Sequence, residues 1–162
     1  MRLFIRQRIF SWTDSYDIYD ENGEARYEVR AAFFALGHQI HVYDKRAPEG
    51  SCEVGWIRQK LFTLMPTFEI ILNGQVCGTI RKEFTLLRPR YHVDFRGWDV
   101  EGDMLHWDYE VYDRGRTVMH ISKEWLTWGD SYCLDIRDPA DEILALAVVL
   151  TIDCVVESSQ NN

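Results

Sequence analysis

No two of the four cysteines, Cys52, Cys77, Cys133 and Cys154, stand at a C-x-x-C spacing. A zinc ribbon and a thioredoxin-type redox pair both need that spacing, so both are excluded. Flanked by "VCGTI", "SYCLDI" and "IDCVV", the cysteines read as reduced, small core hydrophobes, which fits a reducing cytosol. The chain also lacks the glycine-rich phosphate loops G-x-x-x-x-G-K and G-x-G-x-x-G and the nucleophile elbow G-x-S-x-G. No cofactor is therefore expected, and no catalytic residue is assigned. The start, "MRLFIRQRIF", alternates arginine with apolar residues where a signal peptide needs an unbroken apolar run. The most apolar stretch, Ile143 to Val156, is too short for a membrane span and carries Asp153. Positive charge is in short supply as well: 18 basic residues against 26 acidic ones leave a formal net charge of -8. Its field repels nucleic acid and anionic membranes at long range, although a local basic patch overrides this. The expectation is a cytoplasmic protein with no nucleic-acid partner and no transmembrane span.

What the chain does contain is a repeat. "SWTDSY" begins at Ser11 and "TWGDSY" at Thr127. In context, "FIRQRIFSWTDSYDIYD" from Phe4 aligns without a gap on "HISKEWLTWGDSYCLDI" from His120. Weaker copies start at Trp56 ("WIRQKLFTLMPTFEIIL") and Thr79 ("TIRKEFTLLRPRYHVDF"). Apolar and polar residues partly alternate on both sides of a polar corner, the pattern of strand, tight connection and strand. Trp12, Trp128, Tyr16 and Tyr132 read as corner packing. Gly23, Gly74 and Gly115 fall between apolar runs, where they supply the positive φ of tight hairpins. Strand signals recur from Arg2 to Ile136, which points to an all-β sandwich or barrel.

The C-terminus changes character. Asp138 is placed as an N-cap and Pro139 at the first helical position, with Asp141 and Glu142 in the first turn. The run that follows is apolar on every helical face, so it must be enclosed on all sides. Only the sheet can enclose it, which predicts a closed or nearly closed barrel around one helix.

The order of "IRQRIF", "GWIRQK", "FEIILNG", "TIRKEF", "WDVEGD", "DYEVYDRGR", "HISKEW" and "DEILALAVVLTID" resembles the LURP-one-related family, part of the tubby C-terminal-like superfamily with the phospholipid scramblases. The resemblance implies a mainly β fold: a tubby-like closed β-barrel of roughly twelve strands enclosing one hydrophobic C-terminal α-helix. The expected organisation is a single domain over 1–157, with strands within 2–137, a central helix over about 139–156 and a polar tail over 158–162. The resemblance implies no catalytic residues. It leaves a non-enzymatic binding module for an anionic lipid headgroup or small ligand as the leading expectation. A protein-interaction or regulatory domain of stress or defence type is the alternative, and scramblase-like lipid handling ranks last.

The densest positive cluster is Arg81, Lys82, Arg88 and Arg90, on two arms of one predicted corner. Such a cluster suits a phosphate or carboxylate group, and it is the candidate anionic-ligand patch. Arg2, Arg6 and Arg8 form a second cluster. Lys60, Lys82 and Lys123 recur at nearly equivalent repeat positions and read as a product of the repeat. Asp99, Glu101 and Asp103 alternate, so a continuous strand places them on one face as a weak divalent-metal candidate. The EF-hand frame fails, because its first ligand position falls on Gly97. His38 and His41 are spaced to point to opposite faces. Trp98 and Trp107 are candidate interface aromatics. Asp153 requires a partner or water at the barrel mouth.

Overall fold

The repeat has a simple physical basis. Ile5, Ile57, Ile80 and Ile121 occupy equivalent positions in its four copies, and all four are buried. The period of two in a strand then turns the following residue outward, and in two copies that residue is Arg58 or Arg81. The computed structural model describes residues 1–6, 15–34, 37–83, 90–126 and 129–160. Among these, the strands are β1 (Arg2–Arg6), β2 (Ser15–Asp20), β3 (Ala25–Phe34), β4 (Gly37–Asp44), β5 (Cys52–Gln59) and β6 (Thr67–Leu72). They continue with β7 (Gln75–Glu83), β8 (Arg90–Asp94), β9 (Trp98–Asp103), β10 (Asp108–Asp113), β11 (Arg116–Leu126) and β12 (Gly129–Ile136). The four copies of the repeat are the antiparallel pairs β1–β2, β5–β6, β7–β8 and β11–β12.

Every consecutive pair is antiparallel except across the seam between β8 and β9, and β1 also pairs with β12. The order β8-β7-β6-β5-β4-β3-β2-β1-β12-β11-β10-β9 is therefore a meander wrapped into a nearly closed barrel. At the seam, Trp98 N–H donates to the Phe95 carbonyl at 2.8 Å, with Arg96 and Gly97 both at positive φ between them. Above this turn the described residues form no β8–β9 ladder. Phe95 and Trp98 are buried and pack edge to face at 5.0 Å, filling the gap. Trp98 is thus a core residue, 3% exposed, and not the interface aromatic expected. Trp107 is half-buried against Tyr132, stacked at 4.0 Å. Its indole packs against the core through Tyr132 and keeps part of its surface exposed. Trp12 and Trp128 lie outside the described residues.

The antiparallel meander gives the barrel two unlike ends. At one end, even-numbered strands turn into odd ones. The turns Asn73-Gly74 and Arg114-Gly115 have positive φ at both positions, as two-residue type I′ hairpins require. Four ladders shift register just before this end, at Ile18/Tyr19, Val42/Tyr43, Ile70/Ile71 and Val111/Tyr112. The extra residues at these bulges are Arg26, Val54, Cys77 and Val118. A bulge bends its strand and re-aims the extra side chain. Arg26, Val54 and Cys77 all line one cavity of about 550 Å3 at this end. That placement corrects the reading of Cys77 as a core hydrophobe: it is half-buried, because a bulged residue leaves the inside–outside alternation. Cys52, at the start of β5, is exposed. Cys133 and Cys154 are buried as expected, and no cysteine among the described residues is disulfide-bonded.

The helix enters at the same end. Asp138 caps a 3-10 turn, Pro139–Asp141, by accepting from Ala140 N–H at 2.9 Å. The α-helix α1 then runs Glu142–Gln160, starting later than 139 and continuing past 156. From Ala145 to Ile152 every residue is at most 2% exposed, so more than two turns are enclosed on all sides. The one buried hydroxyl there, Thr151, donates to the Ala147 carbonyl at 2.6 Å. Strand and helix side chains form one continuous core. Among the described residues no helix is long and apolar enough to cross a membrane.

Arg26 joins this helix to the wall. Its Nε donates to Glu142 Oε1 at 3.1 Å and its Nη1 pairs with Asp44. Burial and the Glu142 charge together push the Tyr27 hydroxyl up, so Tyr27 stays neutral as a hydrogen-bond partner of Glu142. Asp153, near the other end of α1, is half-buried. Burial, with the Asp153 charge second, likewise raises Tyr109.

Two predictions follow from this core. Arg26→Ala leaves Glu142 and Asp44 without their shared cation and removes charge-assisted hydrogen bonds, so denaturant unfolding should show a loss of about 2–3 kcal/mol. Burial pushes the Cys133 thiol up from 9.0 to about 12. Across that window the unfolded chain has lost a proton that the folded chain keeps, so stability falls as pH rises. Unfolding midpoints should decline from about pH 9 upward, and Cys133→Ala should flatten the decline.

Candidate functional site

The β5–β6 and β7–β8 hairpins lie side by side, which builds the site from two copies of the repeat. Ladder register sets the outward rows. Arg58 stands opposite Glu69, Glu69 opposite Thr79, and Thr79 opposite Asp94. One row nearer the end of the barrel, Thr67 stands opposite Arg81 and Arg81 opposite His92. The β5–β6 connection folds back over this row, with Lys60 N–H donating to the Thr67 carbonyl at 2.8 Å. Lys82 N–H donates to the Pro66 carbonyl at 3.3 Å, which ties the connection to β7. The result is a groove of about 700 Å3.

Three cations line it: Lys60, Arg81 and Lys82. Their situations differ. Glu69 accepts from Arg58 at 2.6 Å and also faces Lys60 at 3.3 Å, so two cations share one carboxylate. The Arg58 hydrogen bond holds the Glu69 carboxyl below its usual range. Arg81 is exposed and Lys82 half-buried, and among the described residues neither has a carboxylate within ion-pair distance. By strand alternation Arg81 faces outward and Lys82 shares the parity of buried Ile80, yet both reach the groove. Glu83 and Asp94 add negative charge, with Glu83 3.7 Å from His92. The hydroxyls of Thr63 and Thr67 donate to the Lys60 and Met65 carbonyls at 3.3 and 2.8 Å. These groups serve the loop's own backbone. The chemistry on offer is a pair of cations with no ion pair among the described residues, beside Glu83 and Asp94, suited to a phosphate or carboxylate oxygen.

Of the predicted patch, Arg81 and Lys82 meet in this groove. Arg90 lies on β8 opposite Glu83 in register, and its side chain is not among those described. Arg88 lies outside the described residues. Lys60, expected as a product of the repeat, also lines the groove. Adjacent hairpins bring Lys60 and Lys82, one position apart in the repeat alignment, to the same groove. In the second basic cluster, Arg2 faces Asp135 at 3.5 Å, and Arg8 is outside the described residues.

The remaining candidates sit elsewhere. Asp99, Glu101 and Asp103 lie exposed along β9. Asp103 is engaged by His106, whose Nδ1 is 2.7 Å away and whose hydrogen bond lowers the Asp103 carboxyl. Among the described residues no group of three His, Cys, Asp or Glu side chains converges as a metal would require. His38 and His41 do part company: burial lowers His38, while His41 stacks on Trp56 at 5.7 Å and meets Glu53 at 2.9 Å. The cavity at the opposite end is lined by Arg26, already held by Asp44 and Glu142, and by Arg96.

The model of the LURP-one-related family matches residues 1–153. The chain belongs to the LURP-one-related family. Its barrel with a central helix accords with the tubby-like kinship. A curated relative, "Uncharacterized protein YxjI" of Bacillus subtilis (strain 168), is 30% identical over 161 residues, covering 99% of this chain and 97% of that protein. No solved structure matches the chain.

Proposed function

We propose that this LURP-one-related protein is a non-enzymatic binding module whose β5–β8 groove takes an anionic headgroup or small anionic ligand. One observation carries the reading. Arg81 and Lys82 enter the same groove with no carboxylate partner among the described residues, in a chain where acids outnumber bases. Other basic side chains, such as Arg26, Arg46 and Arg58, are paired. Cations left unpaired beside Lys60 have their electrostatics completed by an incoming anion.

A protein-interaction role is the second reading. It rests on an outward aromatic and arginine row on β3–β5: the stacked His41 and Trp56, Arg58 over Trp56 at 5.3 Å, and Arg30 over Tyr43 at 4.4 Å. Aromatic and arginine side chains are the types enriched at interfaces.

Thermal melts with inorganic phosphate, glycerophosphoserine and inositol trisphosphate test the groove. At a hundredfold excess over Kd, a bound anion should raise Tm by about 5–10 °C. Arg81→Ala/Lys82→Ala should abolish that rise while leaving the ligand-free Tm nearly unchanged, because neither side chain makes an ion pair among the described residues. No rise with any anion, or an equal rise in the double variant, removes this reading.

A further inference from the structure

The connection that roofs the groove carries a second feature. Five large hydrophobic residues are exposed among those described, and three of them, Leu61, Phe62 and Leu64, stand in this one loop. Phe62 and Leu64 are at 104% and 96% of full exposure. Scattered single apolar residues on a surface need no explanation, but a cluster in one loop does. Phe62 is also at φ 59, a left-handed conformation that costs energy for a bulky residue. Neither its exposure nor its backbone stabilises the free protein.

The base of the loop is held firmly. Besides the bonds from Lys60, Thr63 and Thr67, Leu61 packs near Gly37, where an added Cβ would stand 3.0 Å from Leu61 Cδ2. Phe62 and Leu64 are thereby presented on an anchored base, which reduces the ordering cost of burying them. They protrude, so a partner must be penetrable or must offer a matching hollow. Leu64 lines the groove together with the cations Lys60, Arg81 and Lys82 and the carboxylates Glu83 and Asp94. Apolar side chains at the tip with lysine and arginine beside them match the layered chemistry of a bilayer surface, hydrocarbon beneath anionic headgroups.

We propose that the loop from Lys60 to Pro66 docks the protein on an anionic membrane, with Phe62 and Leu64 entering the interface and Arg81 and Lys82 facing the headgroups. The charge half of this inference rests on the groove reading; the apolar half is independent of it. The association is peripheral, and the helix stays inside the barrel.

Flotation with phosphatidylcholine vesicles, with and without phosphatidylserine, tests the proposal. The full chain should float with the phosphatidylserine vesicles, less so as salt rises, and not with phosphatidylcholine alone. Phe62→Gly/Leu64→Ser should weaken binding at least about tenfold. Its melting temperature should be unchanged or higher, because glycine adopts φ 59 without strain, and any melting shift by soluble anions should persist. Arg81→Ala/Lys82→Ala should weaken vesicle binding by about fivefold per charge. Flotation of Phe62→Gly/Leu64→Ser equal to that of the unmodified chain overturns the proposal. So does no flotation at low salt, even if soluble anions still raise Tm and the groove reading stands. A concentration-dependent dimer lost in Phe62→Gly/Leu64→Ser, without vesicle binding, assigns the loop to a second copy and also overturns it. Loop-dependent flotation with no soluble-anion shift sustains the membrane proposal and removes the small-ligand reading of the groove.

Discussion

The burial of α1 is the constraint on which the rest of the structure depends. A helix with apolar side chains on every face cannot lie on a sheet, because half of it would remain in water. It needs a wall on all sides, and a meander of short strands supplies that wall only by curling until its ends meet. The inward row of each strand is spent on the helix, from Leu3 and Ile5 on β1 to Leu134 and Ile136 on β12. Bulges near one end provide curvature. The place where closure is incomplete, between β8 and β9, is filled by Phe95 and Trp98. The opposing demand comes from Gly78, where a Cβ would stand 2.5 Å from Phe95 Cδ2. The seam holds a large ring only because the neighbouring strand gives up a side chain.

That arrangement leaves the two ends with different tasks. At the tight-turn end, the bulge at Arg26 turns a strand residue toward the helix start, where Glu142 and Asp44 accept its hydrogen bonds. Two further cations here are neutralised locally, Arg46 by Asp20 and Lys45 by Asp17. Such groups fix the helix and turns in place and have little capacity left for a ligand. At the other end the β5–β6 connection folds over the sheet, and β7 contributes Arg81 and Lys82, which form no ion pair among the described residues. A protein of net charge -8 thus places two cations that form no ion pair among the described residues next to its most exposed apolar side chains. Local charge separation of this kind favours one orientation on an anionic surface even when the whole molecule is repelled at long range.

The architecture was readable from the chain because it depends on local patterns. The four Ile-anchored repeats, the positive-φ glycines at 23, 74 and 115, the Asp138–Pro139 start and the all-round apolar run each point to one outcome. The enclosing barrel follows from the last of these alone, since nothing else in the chain can cover that helix. The alternation of Asp99, Glu101 and Asp103 likewise survives as an exposed face of β9.

The sequence by itself determined that strands would surround a buried helix and that equivalent isoleucines would face it. Only the tertiary structure decided which residues meet. Cys77 left the core because a bulge interrupts the period of two, and a one-residue slip exchanges inside for outside. Trp98 entered the core because the seam falls beside it, which no local pattern records. Lys60 joined Lys82 in one groove because their hairpins are neighbours in the ladder order. That order is set by backbone hydrogen bonds, which carry no side-chain signature, so the grouping of charges that defines the candidate site is a property of the closed sheet.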